Sequence, residues 1–259
     1  MRILAFVVLA LIGTTCNAFV FGEDERNDIG YFFPGNDDKF DQVGMIVGPL
    51  QSTAFVTGND CNYLIGSAHG YYEKIEDNKF LVGDPNKTQN NFAYSNEGHK
   101  YRTLIKKILV NGLDNINVIS PSLDHTVAEL DKRIVSCYNY PLDYEGQCNG
   151  SLYVVGYSPD QYGEKKMSKC GKPFKATGEN SFGYCCDSKQ GYSGAPIFCL
   201  DEKGLRIIGI NNGAYMPANV HEPFRFGERT TLSCSPDQYY NIGKKFNGEF
   251  GAALKKILK

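Results

Sequence analysis

From Val43 to Leu232 the sequence is a succession of short apolar runs rich in β-branched and aromatic side chains, cut by Gly, Asn, Asp and Pro. Met45–Val47, Thr53–Val56, Lys79–Val82 and Leu104–Val110 come first. Arg133–Cys137, Ser151–Val155, Ala195–Phe198, Leu205–Ile210 and Arg229–Leu232 follow. Runs this short suit strands closed by turns, whereas a core helix needs roughly ten residues or more. Gly 28, Tyr 17 and Phe 16 in the composition favour the same choice. Many brief strands leave many unpaired edges, and closing a sheet into a barrel removes them. At 259 residues the chain has the size of two small barrels that share one site. The expected fold is all-β, with two six-stranded antiparallel β-barrels over about 43–135 and 136–240. A short amphipathic helix should close the chain within 241–259, with apolar faces at Phe250, Ala253, Leu254 and Ile257.

What precedes Val43 has a different character. Met1-Arg2, the apolar run Ile3–Ile12 and the small residues flanking Asn17 read as a secretory signal, 1–18, too short for a membrane anchor. Residues 19–42 are acidic and contain Gly and Asn. They read as a removable pro-segment or as a solvated N-terminal arm, the former being preferred. The expected protein is therefore secreted and extracellular. A net charge of −2 gives no pull toward nucleic acid or an acidic membrane, so neither is an expected partner. A monomer acting on protein or peptide substrates is expected.

Setting aside Cys16 leaves Cys61, Cys137, Cys148, Cys170, Cys185, Cys186, Cys199 and Cys234, an even set that reads as four disulfides in an exported chain. No Cys-x-x-Cys pair and no neighbouring His suggests a metal site, and no cofactor is implied. Asn86-Lys87-Thr88 and Asn149-Gly150-Ser151 are glycosylation sequons, a pattern that chance also produces.

Three islands carry chemistry. The first is Cys186–Cys199, with Gly191-Tyr192-Ser193-Gly194-Ala195-Pro196 at its centre. A serine hydroxyl becomes a nucleophile only when a base takes its proton and donors receive the oxyanion. Gly191 permits a turn that aims the amides of Gly191 and Ser193 at one point, and Gly194 admits a close approach. Taken alone, this stretch is as easily a surface turn. The second island, Leu64–Gly70, puts His69 after an apolar strand and two small residues, as a base would need; a single histidine is more often structural. The third, Leu123–Leu130, puts Asp124 at the entry of a strand, where it would fix the histidine tautomer. Asp124 could equally cap that strand, and Asp114 is a rival whose following residues fit a strand less well.

Together, in the order His69, Asp124, Ser193, these islands resemble the chymotrypsin-like serine proteases. Leu64–Gly70 is similar to the family's Thr-Ala-Ala-His-Cys motif, and Gly191–Pro196 to its Gly-Asp-Ser-Gly-Gly-Pro. Lys107–Val110 with Asp124 resembles its strand–loop–Asp segment, and Val154–Tyr157 a second-barrel strand. The resemblance implies a serine endopeptidase with His69, Asp124 and Ser193 catalytic, and the amides of Gly191 and Ser193 as oxyanion hole. It also implies that Cys199 pairs with Cys148 or Cys137, and Cys170 with Cys185 or Cys186. Asp187 falls where trypsins keep the acid of the primary pocket, implying cleavage after Lys or Arg, although turn chemistry explains it equally well. Ile210–Gly213 would be the strand that meets the substrate backbone, with Asn211 and Gly213 as substrate-binding residues. Asn211 stands where glutamate-cleaving relatives place a histidine, which disfavours acidic substrates.

The departures matter as much. Tyr192 replaces the acid that pairs with a newly cut amino terminus in trypsins, and Gly70 replaces the usual cysteine. Too few positions separate Ile46 from His69 for Met45–Gly48 to be a trypsin-type mature start. Cys186–Pro196 and Ile208–Gly213 are closer to the glutamyl-endopeptidase-like branch. Two other readings stay open: a protease homologue of weak or lost activity that serves as a binding or regulatory protein, and a disulfide-stapled structural protein.

Overall fold

The computed structural model describes residues 19–21, 23–47, 51–76, 79–82, 91–96, 99–112, 123–159, 163–176, 178–215, 229–230 and 233–259. The expected signal segment, Asp114 and the Asn86 sequon lie outside them. Strand is the predominant secondary structure of the described residues. β1 (Val20–Phe21) and a short helix α1 (Ile29–Phe32) precede the first unit. That unit contains β2 (Val43–Val47), β3 (Ser52–Thr57), β4 (Tyr63–Gly66), β5 (Tyr72–Glu76), β6 (Lys79–Val82), β7 (Asn91–Asn96), β8 (His99–Asn111) and β9 (Thr126–Leu130). The second contains β10 (Ser151–Tyr157), β11 (Lys165–Cys170), β12 (Phe174–Lys175), β13 (Ser181–Tyr184), β14 (Pro196–Asp201), β15 (Gly204–Tyr215) and β17 (Tyr240–Lys245). β16 (Arg229–Thr230) pairs in parallel with β1, and α2 (Gly248–Ile257) closes the chain.

The first unit is a closed antiparallel barrel, β2-β3-β4-β9-β8-β7, with β5 and β6 forming a separate hairpin. The second keeps antiparallel order but has seven strands, β11-β10-β14-β15-β17-β13-β12, where six were expected. Its outer strands β11 and β12 do not pair with each other among the described residues. The link between them, Gly171-Lys172-Pro173, carries a proline that has no amide to add to a ladder. β17 runs on through Lys245, so the second unit extends beyond residue 240.

Three apolar layers explain why these strands read as continuous apolar runs instead of alternating ones. In β3, Ala54 and Val56 enter the core inside the first barrel, while Phe55 faces the layer between the two units. Leu64 and Ile65 of β4 divide the same way, as do Ala128 and Val127 of β9. Across the interface, Leu152 and Val154 of β10 fill the second core and Tyr153, Val155 and Tyr157 return to the shared layer. Successive side chains point to opposite faces of a strand, so a strand between two cores is apolar on both. Phe250 and Leu254 of α2 close the shared layer, one helical turn apart. Lys255 and Lys256 sit at the end where the helix dipole favours positive charge.

The cysteines form Cys61–Cys137, Cys148–Cys199, Cys170–Cys186 and Cys185–Cys234. Both pairings implied by the resemblance are among them. Two expectations change. Arg133–Cys137 is not a strand: Cys137 is drawn to Cys61, and Ile134 donates its amide to the Cys61 carbonyl at 3.1 Å. Of the two readings of residues 19–42, the solvated arm is the one that changes, since Phe19, Val20, Arg26, Ile29 and Phe40 are buried.

Candidate active site

His69 lies in a single 3-10 turn, Ala68–Tyr71, that leaves β4 at the seam between the units. Gly70 is required there, because a Cβ would sit 2.9 Å from Cβ of Ser52 on β3. That contact excludes a larger side chain at position 70. Asp124 immediately precedes β9 and is fully buried. Its Oδ1 accepts the His69 amide at 3.0 Å, and its Oδ2 lies 2.5 Å from His69 Nδ1. One carboxylate thus fixes both the backbone and the ring of His69.

A second tie holds Asp124 from across the seam. Asn212 Nδ2 donates to the Asp124 carbonyl at 2.5 Å, and Ser67 Oγ donates to Asn212 Oδ1 at 3.0 Å and to the Asn211 carbonyl at 3.3 Å. Sequence reasoning missed Ser67 and Asn212. The available signal was a pair of amides inside the apolar run Ile208–Gly213, because buried amides must find partners.

Ser193 comes from the other unit and is also buried. Gly191 and Gly194 on either side have φ of 96° and 81°, a region open chiefly to glycine. The loop they shape is laced to the first barrel. Thr53 donates its amide to the Ser193 carbonyl at 2.9 Å, and its hydroxyl to the Gly191 carbonyl at 2.7 Å. A Cβ on Gly194 would stand 2.6 Å from the amide nitrogen of Ser67 and 3.0 Å from Cα of Gly66, besides meeting the Thr53 carbonyl. The Ser193 loop is therefore seated on the residues that lead into His69. Among the described residues, no backbone carbonyl accepts the amide of Gly191 or of Ser193.

The remaining sequence candidates are Asn211, Gly213 and Asp187. Asn211 has both ends of its amide engaged: Nδ2 donates to the Tyr192 carbonyl at 3.0 Å, and Oδ1 accepts from the Tyr184 hydroxyl at 2.6 Å. It braces the serine loop. Gly213 sits at a bulge where β15 pairs with β17, while pairing of β15 with β14 ends at Ile210. Asn211 extends the contact, its amide donating to the Ala195 carbonyl at 2.8 Å and its carbonyl accepting the Gly194 amide at 2.6 Å; beyond it the β14 side of β15 carries no partner strand among the described residues. Asp187 needs correction as a pocket acid. It is buried, and its oxygens accept the amides of Phe21 at 2.9 Å and Glu25 at 2.8 Å, both from the N-terminal segment. The grouping Cys148–Cys199–Asp201 offers no metal ligands in thiolate form, since its sulfurs are bonded to each other.

His125, next to Asp124, is buried with its Nδ1 lacking a hydrogen-bond partner and its ring 4.1 Å from that of Phe250. Burial, reinforced by the Lys244 charge and opposed by Asp124, lowers its pKa from 6.5 to about 4. Between those values the unfolded chain takes up a proton that the native chain refuses, so stability falls as pH drops through that window. The loss should be on the order of 2–3 kcal/mol, complete near the lower value. His125→Leu removes the titration, so chemical denaturation across the window should show a smaller loss for this variant. Equal losses would assign the acid sensitivity to another group.

No family model matches the sequence, and no curated protein matches it. The fold has many counterparts among solved structures. A Glu endopeptidase in complex with MPD superposes with a TM-score of 0.62 at 14% identity, over 92% of this chain and 99% of its own. The protease Anisep of Arthrobacter nicotinovorans gives 0.56 at 13% identity, over 85% and 96%. A thermostable serine protease, AL20, of an extremophilic microorganism gives 0.54 at 13% identity, over 83% and 94%. The fold is that of the chymotrypsin-like serine proteases.

Proposed function

We infer that this protein is a secreted serine endopeptidase that works through an acyl-enzyme on Ser193. The observation that carries the reading is His69, held at both its amide and its Nδ1 by Asp124, beside a glycine-flanked serine loop. In this reading His69 takes the proton of Ser193 as the hydroxyl attacks the scissile carbonyl, then passes it to the departing amine. Asp124 keeps Nδ1 protonated and stabilises the imidazolium that forms. The amides of Gly191 and Ser193 receive the oxyanion, where oriented donors act most strongly. The side of β15 beyond Asn211 offers its backbone to an extended peptide, as strand addition requires.

Export is supported by the N-terminal signal pattern and by four disulfides, which persist in oxidising compartments. No helix of the described residues is long and apolar enough to cross a membrane. The preference for Lys or Arg loses its basis, because the carboxylate that would read a basic side chain already holds two amides. A serine-directed phosphonate should label the folded protein at Ser193, located by peptide mapping. A folded, disulfide-bonded protein that resists the probe would favour the inactive-homologue reading instead.

A further inference from the structure

The residues before α1 wrap the back of the serine loop and bond to it at successive positions. Phe19 accepts the Ser188 amide at 2.9 Å. Asn241 donates to both the Phe19 and Cys186 carbonyls, at 3.2 and 2.8 Å, and accepts the Phe19 amide at 2.9 Å. Asp187 takes the Phe21 and Glu25 amides on its two oxygens. Asn27 exchanges both backbone bonds with Met167 at 2.8 Å. Between these points Arg26, its side chain fully buried, pairs with Asp24 at 2.6 Å and lies 5.7 Å from the ring centre of Tyr192. Every contact from Cys186 to Tyr192 falls within seven residues of Ser193. Tyr192 is the residue that replaces the acid of the trypsin switch. It is fully buried and packed so closely over β10 that a Cβ on Gly156 would stand 2.8 Å from its ring.

The geometry points to Asp187 as a positioning residue: by clasping the 19–27 arm it holds the Gly191–Ser193 turn in the shape that receives the oxyanion. This role rests on the peptidase reading above and takes residues 19–27 as a lasting part of the working enzyme, in place of the removable pro-segment expected from the sequence. The clasp uses the amides of interior residues Phe21 and Glu25, so it needs no freed amino terminus and no acid at position 192. The arm and the acid hold each other in place. A buried carboxylate stripped of its donors is costly, so departure of the arm would leave Asp187 stranded behind the loop. The loop would then relax, and the two amides flanking Tyr192 would lose their aim. Arg26 would at the same time leave the face of Tyr192 and become exposed.

Asp187→Asn tests this, because the amide group presents a donor to one of the two arm amides. The expected result is a fall in kcat of about tenfold to a hundredfold, the scale of a small misplacement of reacting groups. KM should change little, and the fall should be the same for peptides with basic, apolar or acidic residues before the cut. Asp187→Glu should recover part of the rate. Glu25→Pro deletes one donor from the arm without touching the serine loop, and should lower kcat in the same way. Trypsin cleavage at Arg26–Asn27, followed by mass spectrometry, should be slow in the wild type and fast in Asp187→Asn and Glu25→Pro. A loss confined to Lys and Arg substrates, with raised KM, would return Asp187 to the pocket and overturn the proposal. Unchanged kcat in both variants would overturn it as well. Failure of the phosphonate to label wild-type protein is a separate result: it defeats the peptidase reading and the positioning role together, whatever the cleavage at Arg26 shows.

Discussion

Ser193→Ala should lower kcat by about a thousandfold to a millionfold on any peptide substrate, with the fold and the four disulfides retained. The size follows from the way such groups cooperate. Without the nucleophile, His69 has no proton to take and Asp124 nothing to orient, so removing the serine alone costs about as much as removing all three. The fold should survive because the loop is not held by the hydroxyl. Ser193 contributes its carbonyl, which accepts the Thr53 amide, and the loop's shape comes from Gly191 and Gly194. Alanine adopts the same backbone conformation as serine and leaves these bonds in place. The measurement is kcat on a peptide substrate for wild type and variant, with denaturant midpoints compared in parallel. A variant that keeps kcat within about tenfold would remove Ser193 from the chemistry, since loss of the nucleophile cannot leave so much of the rate.

How far the sequence could be read depended on whether a signal was local. The strand runs were legible because being apolar at both parities is a property of the segment itself. Thr53–Val56, Leu64–Ile65 and Val127–Ala128 each lie between two cores and look alike before any fold is known. Arg133–Cys137 has the same look but is bent to the Cys61 turn by a disulfide 76 positions long, which no local pattern records. Legible too were Gly191 and Gly194, since a serine between two glycines announces a turn. The role of Asp187 was not. Its offset from Ser193 suggested a pocket, yet its partners Phe21 and Glu25 are backbone donors more than 160 positions away, and a backbone amide has no residue type to betray it. Ser67 and Asn212 escaped for a related reason: each is ordinary alone, and they acquire a role only when two units meet. The seventh strand of the second sheet, two residues long, is below the length at which periodicity means anything.

The second large effect is expected at Asp124. Asp124→Asn should lower kcat near neutral pH by about ten-thousandfold, the scale of a histidine held in the wrong tautomer. The geometry says why so small a change does so much. The two carboxylate oxygens both accept from His69, one from its amide at 3.0 Å and one from Nδ1 at 2.5 Å. An asparagine has only one oxygen to offer. If that oxygen faces Nδ1, the new amide group confronts the His69 backbone N–H, donor against donor, and the turn carrying His69 is pushed off. If it faces the backbone instead, the amide group donates to Nδ1, which must then be the acceptor, leaving the proton on Nε2 and the ring unable to take one from Ser193. Either orientation disables the base. The carbonyl of residue 124, which accepts Asn212 Nδ2, is unaffected, so the seam between the units should hold. Asp124→Asn should therefore bind a peptide inhibitor with nearly wild-type affinity while reacting slowly with a phosphonate. A variant that loses affinity in proportion to rate would make Asp124 a structural cap, and rapid labelling of Ser193 in Asp124→Asn would show that His69 does not depend on it.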